Sequence, residues 1–271
     1  MKKLFCLLIL FLLTFHLFAI NPSREYQVKP EQLGLKYLTK KIKVNATVNL
    51  NSWFFLQNNL AKPFIIVSNA DAGNMSNCLG QARAFFMAGY NVVLYDYRGF
   101  GESSDFEINK DMMYYDEFAE DLRAVLSYVK GEYGAKTIIL YGLSMGTVVS
   151  KIVLDTDRTI KGAILDSFVI DPNLVVNRIL QIKNKHVLPP HGAAAYVQSN
   201  KKRTLVPLLL FSGLKDMVTK TTDYSAFMRL NAKSQLVTWD CNHIECFYKM
   251  TKDTDSDLYM AQVNKYIKGL M

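Results

Sequence analysis

The residues with the clearest chemical potential lie in the pentapeptide Gly142-Leu-Ser144-Met-Gly146. The apolar run Thr137–Tyr141 before it predicts a buried strand, and the apolar residues from Met145 onward predict a helix. Ser144 would then lie on the tight turn between strand and helix, where a glycine on either side avoids crowding. A serine on such a turn presents its hydroxyl at the end of a sheet, beside a helix N-terminus. The pattern predicts a nucleophilic serine for acyl transfer.

A serine nucleophile needs a base to remove its proton. The chain has four histidines, and only His243 closely follows a predicted strand, Gln235–Trp239. The carboxyl ends of parallel strands meet at one edge of a sheet, so His243 is expected beside Ser144. The other three lie in the apolar N-terminal segment or in an irregular stretch: His16, His186 and His191. His243 is therefore the predicted base.

The base in turn needs an acid that holds it in the correct tautomer. Asp166 follows the predicted strand Gly162–Leu165, and Asp216 lies in the turn after the predicted strand Val206–Ser212. Both satisfy the chain order Ser, Asp, His. We favour Asp216, because a carboxylate in a loop beyond its strand can reach across to His243. Asp166 stays as the alternative, although it can equally well hydrogen-bond its own loop.

Acyl transfer also needs two backbone N–H groups that stabilise the developing oxyanion. The residue after the nucleophile, Met145, is expected to supply one of them. The loop after the predicted strand Phe64–Ser68 is the expected source of the other, because its small residues allow backbone to approach a ligand closely. The same loop can also be read as a simple strand-to-helix turn, and the residues alone do not single out one donor.

Short apolar strands alternate with longer helices along the chain, which predicts a mostly parallel sheet covered by helices on both faces. The 271 residues are half hydrophobic and 21% charged, so one domain over residues 20–271 is expected. The order begins with a predicted hairpin, Lys36–Val44 and Thr47–Leu56. The remaining predicted elements are strands Phe64–Ser68, Asn91–Asp96, Thr137–Tyr141, Gly162–Leu165, Val206–Ser212 and Gln235–Trp239, and helices Ser76–Met87, Tyr114–Lys130, Met145–Leu154, Thr222–Leu230 and Asp257–Lys268.

Residues 1–19 have the pattern of a secretory signal peptide. Lys2 and Lys3 precede an uncharged run that ends at Ile20, and the small residue Ala19 lies where cleavage is expected. An uncleaved membrane anchor is the alternative, but seventeen residues that include Thr14 and His16 are marginal for spanning a bilayer. We expect an exported protein, periplasmic or secreted.

Export would leave three cysteines, Cys78, Cys241 and Cys246. Cys241 and Cys246 could pair across a short loop, or remain free beside it. The string Cys241-Asn-His243-Ile-Glu-Cys246 also resembles a metal site, but no other Cys/His pair supplies a fourth ligand at suitable spacing. We predict no metal and no cofactor.

The octet Asp96-Tyr-Arg98-Gly99-Phe-Gly101-Glu-Ser103 is nearly identical to the Asp-Tyr-Arg-Gly-Tyr-Gly-x-Ser motif of one branch of the α/β-hydrolases. With the serine pentapeptide, Gly213-Leu-Lys-Asp216-Met-Val218 and Asn242-His243, the chain resembles this superfamily over about residues 35–270. The resemblance implies the α/β-hydrolase fold, the triad Ser144, Asp216 and His243, and Asp71 as the second oxyanion donor. One departure is Asn69-Ala70, where the family has His-Gly.

The resemblance places a short cap at about residues 167–205. Its charge is uneven, because only Asp171 opposes six basic residues: Arg178, Lys183, Lys185, Lys201, Lys202 and Arg203. The segment is either a solvated basic loop or a surface beside the substrate entrance that attracts anionic lipid or an acidic substrate. Nucleic acid is not an expected partner, because no stacking aromatic residues or binding motif accompany the charge.

Together these features predict an exported serine hydrolase that cleaves a carboxylic ester or thioester of a small-molecule or lipid acyl substrate. A serine peptidase is the enzymatic alternative, because the same groups cleave amides. A non-catalytic binding protein on the same fold is the alternative from another class. The sequence carries no signature of oligomeric state.

Overall fold

The β-branched and aromatic runs of the sequence form one eight-stranded sheet in a computed structural model, which describes residues 19–271 except 185–186, 189 and 254–255. In chain order the strands are β1 (Asn21–Pro22), β2 (Leu38–Lys43), β3 (Asn49–Phe55), β4 (Phe64–Ser68), β5 (Ala72–Gly73), β6 (Asn91–Tyr95), β7 (Ile138–Leu143), β8 (Ile160–Asp166), β9 (Leu208–Gly213) and β10 (Gln235–Trp239). The sheet has the order β10-β9-β8-β7-β4-β6-β3-β2, and β1 pairs separately with β5.

The sheet is parallel from β6 to β10 and antiparallel at its other end, where β2 and β3 form the predicted hairpin. Every residue of β4, β6, β7 and β9 is buried. Strands buried on both faces need a layer of helices on each side. The carboxyl ends of β4, β7, β8, β9 and β10 consequently meet at one edge of the sheet.

Two layers of helices cover the sheet. Ile66 of β4 packs in the core beneath α2 and α3, whereas its neighbours Ile65 and Val67 pack in the core beneath α1 and α8. The helices are α1 (Leu79–Met87), α2 (Tyr115–Tyr133), α3 (Met145–Thr156), α4 (Pro172–Lys183), α5 (Ala193–Asn200), α6 (Ser225–Leu230), α7 (Cys246–Lys249) and α8 (Asp257–Leu270). The predicted fold class, a mostly parallel sheet with helices on both faces, is confirmed.

The segment that sequence predicts as a cap, residues 167–205, contains α4 and α5. Tyr196 of α5 donates a hydrogen bond to the Val169 carbonyl, which ties α5 to the chain leaving β8. Of the predicted signal peptide, only Ala19 belongs to the described part of the chain. Within that part, no helix combines the length and apolar character needed to cross a membrane.

Candidate active site

Ser144 lies at the turn between β7 and α3, as the sequence predicts. Its backbone has φ 49° and ψ −112°, a conformation that residues other than glycine rarely adopt. The turn is tight because Gly142 and Gly146 approach each other, and a Cβ on Gly142 would meet the backbone of Gly146. Backbone strain of this kind concentrates at functional sites, and here it holds the Ser144 hydroxyl at the carboxyl edge of the sheet.

The structure brings Ser144, His243 and Asp216 together in one hydrogen-bonded chain. The Ser144 Oγ lies 2.9 Å from the His243 Nε2, and the His243 Nδ1 lies 2.8 Å from an oxygen of Asp216. Ser144 is only 8% exposed and the Asp216 side chain is fully buried, whereas the His243 side chain is 23% exposed. This is the geometry in which a histidine accepts the serine proton while a buried carboxylate orients it.

The Asp216 carboxylate is held by its own loop as well as by His243. The backbone N–H groups of Val218 and Thr219 donate to one oxygen, at 2.7 and 2.8 Å, and the Thr219 hydroxyl donates to the other at 2.6 Å. Burial alone would raise the pKa of Asp216, but the bond to His243 and the Thr219 donors hold that pKa below its ordinary value. Asp216 is therefore prepared to stay ionised beside an imidazolium.

Asp166, the alternative acid, contacts a different partner. Its carboxylate accepts a hydrogen bond from the Tyr259 hydroxyl of α8 at 2.9 Å, in a fully buried setting. Burial raises the pKa of Asp166 to about 7. Its backbone carbonyl accepts the Ser144 N–H at 3.0 Å, so Asp166 supports the serine turn through its main chain. His243 pairs with Asp216 and not with this carboxylate.

The loop that carries His243 is closed by a disulfide between Cys241 and Cys246, a pairing that the sequence leaves open. Both cysteines are buried, and Cys78 is a buried free thiol. The Ile244 N–H donates to the Ser167 hydroxyl at 2.9 Å, which ties the loop to the end of β8. Among the described residues, no group of three or more His, Cys, Asp or Glu side chains is arranged to hold a metal ion.

The loop predicted to hold the second oxyanion donor lies directly beside the serine turn. Ser68 of β4 is in register with Gly142 of β7, and a Cβ on Gly146 would clash with the Ser68 and Asn69 carbonyl oxygens. Asp71, the donor implied by the family resemblance, follows in this loop. Met145 is the first residue of α3, where N–H groups have no acceptor within the helix.

Asn69, at the position where the resemblance implies a histidine, supports this loop with its side chain. Its amide nitrogen donates to the Asn74 carbonyl at 2.8 Å, and its amide oxygen accepts from the Cys78 thiol at 3.3 Å. The Tyr97 hydroxyl donates to its backbone carbonyl at 3.0 Å. The Asn69 side chain therefore links the start of this loop to Asn74 and Cys78.

Comparisons with known proteins support the fold. A family model described as "Serine aminopeptidase, S33" matches residues 72–189, a stretch that includes Ser144 but neither Asp216 nor His243. The esterase Pf2001 of Pyrococcus furiosus superposes with a TM-score of 0.75 at 21% identity, over 94% of this chain and 99% of that one. Mouse alpha/beta hydrolase domain-containing protein 10 superposes with a TM-score of 0.64 at 16% identity, over 86% and 100% of the two chains. This protein has the α/β-hydrolase fold.

Curated relatives match over shorter stretches of the chain. Protein bem46 of Schizosaccharomyces pombe is 29% identical over 133 residues, which is 47% of this chain but only 42% of bem46. The uncharacterized protein YfhR of Escherichia coli O157:H7 is 24% identical over 209 residues, covering 75% of this chain and 69% of YfhR. The chain thus matches less than half the length of bem46.

The octet motif Asp96–Ser103 holds the loops beneath the site. Asp96 accepts the Met75 N–H at 2.7 Å, next to the predicted oxyanion loop, and Ser103 donates to the Asp96 carbonyl at 2.8 Å. Arg98 forms a buried ion pair with Asp121 of α2 at 2.6 Å. Each of these contacts is structural, which agrees with the architectural part that the resemblance implies for the motif.

Sequence reasoning missed two residues that support the triad, Thr219 and Ser167. The spacing of Thr219, three residues after Asp216, is typical of a side chain that caps a turn, and it could have indicated this contact. Ser167 carried no such signal, because its partner, Ile244, is 77 positions away in the chain.

Two basic residues of the predicted cap are placed differently from the expectation. Arg178 of α4 pairs with Asp223 at 2.6 Å and donates to the Val218 carbonyl, so its charge is balanced and it ties α4 to the Asp216 loop. Arg203 donates to the Leu230 carbonyl near the amino ends of β9 and β10, at the sheet edge opposite Ser144. For the exposed Arg203 this position fits the solvated basic loop and not the surface beside the entrance. Lys185 and the Lys183 side chain lie outside the described residues.

Proposed function

We propose that this α/β-hydrolase is a serine hydrolase that cleaves a carboxylic ester or thioester through an acyl-enzyme on Ser144. The observation that carries the proposal is the continuous chain of contacts from Ser144 through His243 to the buried Asp216 carboxylate. A serine that simply fills space has no need of an orienting base and acid, nor of a strained turn that places its hydroxyl beside them.

The reaction would proceed in two steps. His243 Nε2 accepts the Ser144 proton as the hydroxyl oxygen attacks the acyl carbon, and His243 then donates that proton to the leaving alcohol or thiol. Water, deprotonated by the same nitrogen, releases the acid and restores Ser144. In both steps the backbone N–H groups of Met145 and Asp71 would stabilise the negative charge on the carbonyl oxygen.

An ester or thioester substrate leads because a named esterase, Pf2001, is among the solved structures with this fold. A peptide substrate is the second candidate, since the matching family model is described as a serine aminopeptidase. Amide cleavage depends more strongly on proton donation by His243 than ester or thioester cleavage does, because an amine leaves only once it is protonated whereas an alkoxide or thiolate is a better leaving group.

A substrate panel tests the proposal. We expect hydrolysis of p-nitrophenyl esters of graded acyl length, with much weaker turnover of aminoacyl p-nitroanilides, and labelling of the folded protein by a fluorophosphonate probe. A preference for the anilides would favour the peptidase. Absence of both turnover and labelling in folded protein would favour the non-catalytic binding protein and refute the proposal.

We also propose that the protein is exported, on the basis of the basic and apolar pattern of residues 1–19. N-terminal sequencing of protein recovered from the periplasm or medium should give a chain that begins near Ile20. Recovery only from the membrane fraction, with residues 1–19 retained, would instead support the uncleaved anchor.

A further inference from the structure

A short segment, Ala19–Arg24, lies against the predicted oxyanion loop, and we call it the strap. Its strand β1 pairs in parallel with β5, which is part of that loop. The Asn21 N–H donates to the Asp71 carbonyl at 2.9 Å, and the Ser23 N–H donates to the Gly73 carbonyl at 2.7 Å. These two main-chain hydrogen bonds hold the carbonyl groups of Asp71 and Gly73. The first of them acts on the peptide group that directly follows the Asp71 N–H.

The other side of the strap is anchored to the octet motif. The Ser23 carbonyl accepts the Gly101 N–H at 2.9 Å, and Arg24 donates to the Ser103 carbonyl at 2.9 Å. A Cβ on Gly101 would clash with Asp96, so only glycine fits at this close approach. The strap therefore bridges the octet motif and the oxyanion loop.

The first residues of the strap are buried. Ala19 is 2% exposed and Ile20 is completely buried in the core beneath α2 and α3. Both donate their N–H groups to the Lys110 carbonyl, at 2.8 and 3.2 Å. Burial and backbone pairing together hold the strap in one position, although it belongs to no larger sheet.

The strap adds to the support that the Asn69 side chain gives the oxyanion loop. The residues of this loop are small, Gly73 has φ 75°, and its two-residue strand β5 pairs with β1. Oxyanion stabilisation requires a donor placed in advance to within a fraction of an ångström, and a displacement of about 1 Å can cost on the order of 100-fold in rate. An unsupported Asp71–Gly73 segment would lose part of that placement.

We infer that the strap positions the oxyanion loop for catalysis, with the backbone N–H groups of Asn21 and Ser23 as its positioning groups. The inference rests on the proposed function, because it assigns a cause to the placement of one of the two oxyanion donors. It also gives the residues next to the predicted cleavage position a part in the reaction. Cleavage after Ala19 would remove that residue from the strap but would keep the Asn21 and Ser23 donors.

Proline substitution separates the backbone donor from the side chain. Asn21→Pro removes the N–H that donates to Asp71, whereas Asn21→Ala keeps it. We expect Asn21→Pro to lower kcat for the best ester by about 10- to 100-fold with KM changed by less than about threefold. Affinity for an alkyl boronic acid, which forms a tetrahedral adduct on serine, should fall by the same factor as kcat/KM. Asn21→Ala, which keeps the backbone donor, should have a kcat near that of the unsubstituted protein.

Two further variants complete the test. Ser23→Pro removes the N–H that donates to the Gly73 carbonyl. It should likewise lower kcat while leaving KM nearly unchanged. Gln27→Pro, at an exposed position beyond the strap, should leave kinetics unchanged. Wild-type kcat and boronate affinity in folded Asn21→Pro would overturn the inference. So would loss of folded protein in both strap prolines, which would assign the strap to global stability. Failure of the unsubstituted protein to hydrolyse any ester would refute the proposed function instead.

Discussion

Ser144→Ala should lower kcat for the best ester by on the order of 10⁵-fold, leaving only the rate that the oxyanion groups and substrate binding provide. The reason is that, among the described residues, no hydroxyl other than that of Ser144 forms a hydrogen bond with the His243 Nε2. The measurement is steady-state kinetics, with loss of fluorophosphonate labelling followed on the same samples.

Ser150→Ala provides the matched control for this substitution. Ser150 is a buried serine of the same helix, α3, and its hydroxyl has no hydrogen-bond partner in the described structure. Its removal should therefore leave labelling and kcat close to those of the unsubstituted protein. Turnover by folded Ser144→Ala at a tenth of the unsubstituted rate or more would contradict the assignment of the nucleophile.

Asp216→Asn should lower kcat by about 10⁴-fold, with a smaller change in KM. The amide keeps the shape of the carboxylate but has no negative charge, so it neither stabilises the imidazolium nor selects the tautomer that leaves Nε2 free to accept a proton. The 2.8 Å contact to His243 Nδ1 makes this residue sensitive to the exchange. Kinetics at saturating ester, with circular dichroism to verify folding, measures the effect.

Asp166→Asn is the control for that experiment, because the alternative acid is exchanged in the same way. Its carboxylate contacts Tyr259 and not His243, so we expect kcat to fall by less than about tenfold. A loss of kcat as large as that of Asp216→Asn would indicate that Asp166 is the residue that orients His243.

The raised pKa of Asp166 also makes the free energy of unfolding depend on pH, and the Asp166→Asn variant should lack this dependence. Burial raises the folded pKa of Asp166 from the ordinary value near 3.8 to about 7, so this group favours the folded state below pH 4. That contribution is lost as the pH rises toward 7, with a slope of up to about 1.4 kcal/mol per pH unit. Urea unfolding at pH 5 and pH 8 should show the unsubstituted protein losing stability relative to Asp166→Asn. An unchanged difference would mean that Asp166 has no raised pKa.

Much of the fold was predictable because its signals are local. Strands β4 and β10 coincide with the predicted Phe64–Ser68 and Gln235–Trp239, since short apolar runs bounded by turn residues have few other stable solutions. Helix α2 runs three residues beyond its predicted end, to Tyr133, where Gly134 in the left-handed conformation ends it. The order of strands and helices then restricts the topology, because crossovers in parallel sheets have one hand.

Contacts between distant parts of the chain were not predictable in the same way. The contact of Arg203 with the Leu230 carbonyl, for example, depends on the path of the chain between α5 and β9. The strap is the clearest case. Asn21 and Asp71 are 50 positions apart and join through backbone atoms, which carry no residue-specific signal in a sequence.

The sequence by itself determined the nucleophile turn, the candidate base, two candidate acids and the kind of sheet that would bring them to one edge. These follow from residue type, local spacing and hydrophobic period, which act over a few positions. Only the tertiary structure decided that His243 pairs with Asp216 while Asp166 bonds Tyr259, and that Ala19–Arg24 supports the oxyanion loop. Those choices depend on distances between atoms far apart in the chain, and such distances exist only once the sheet and its two helical layers have packed.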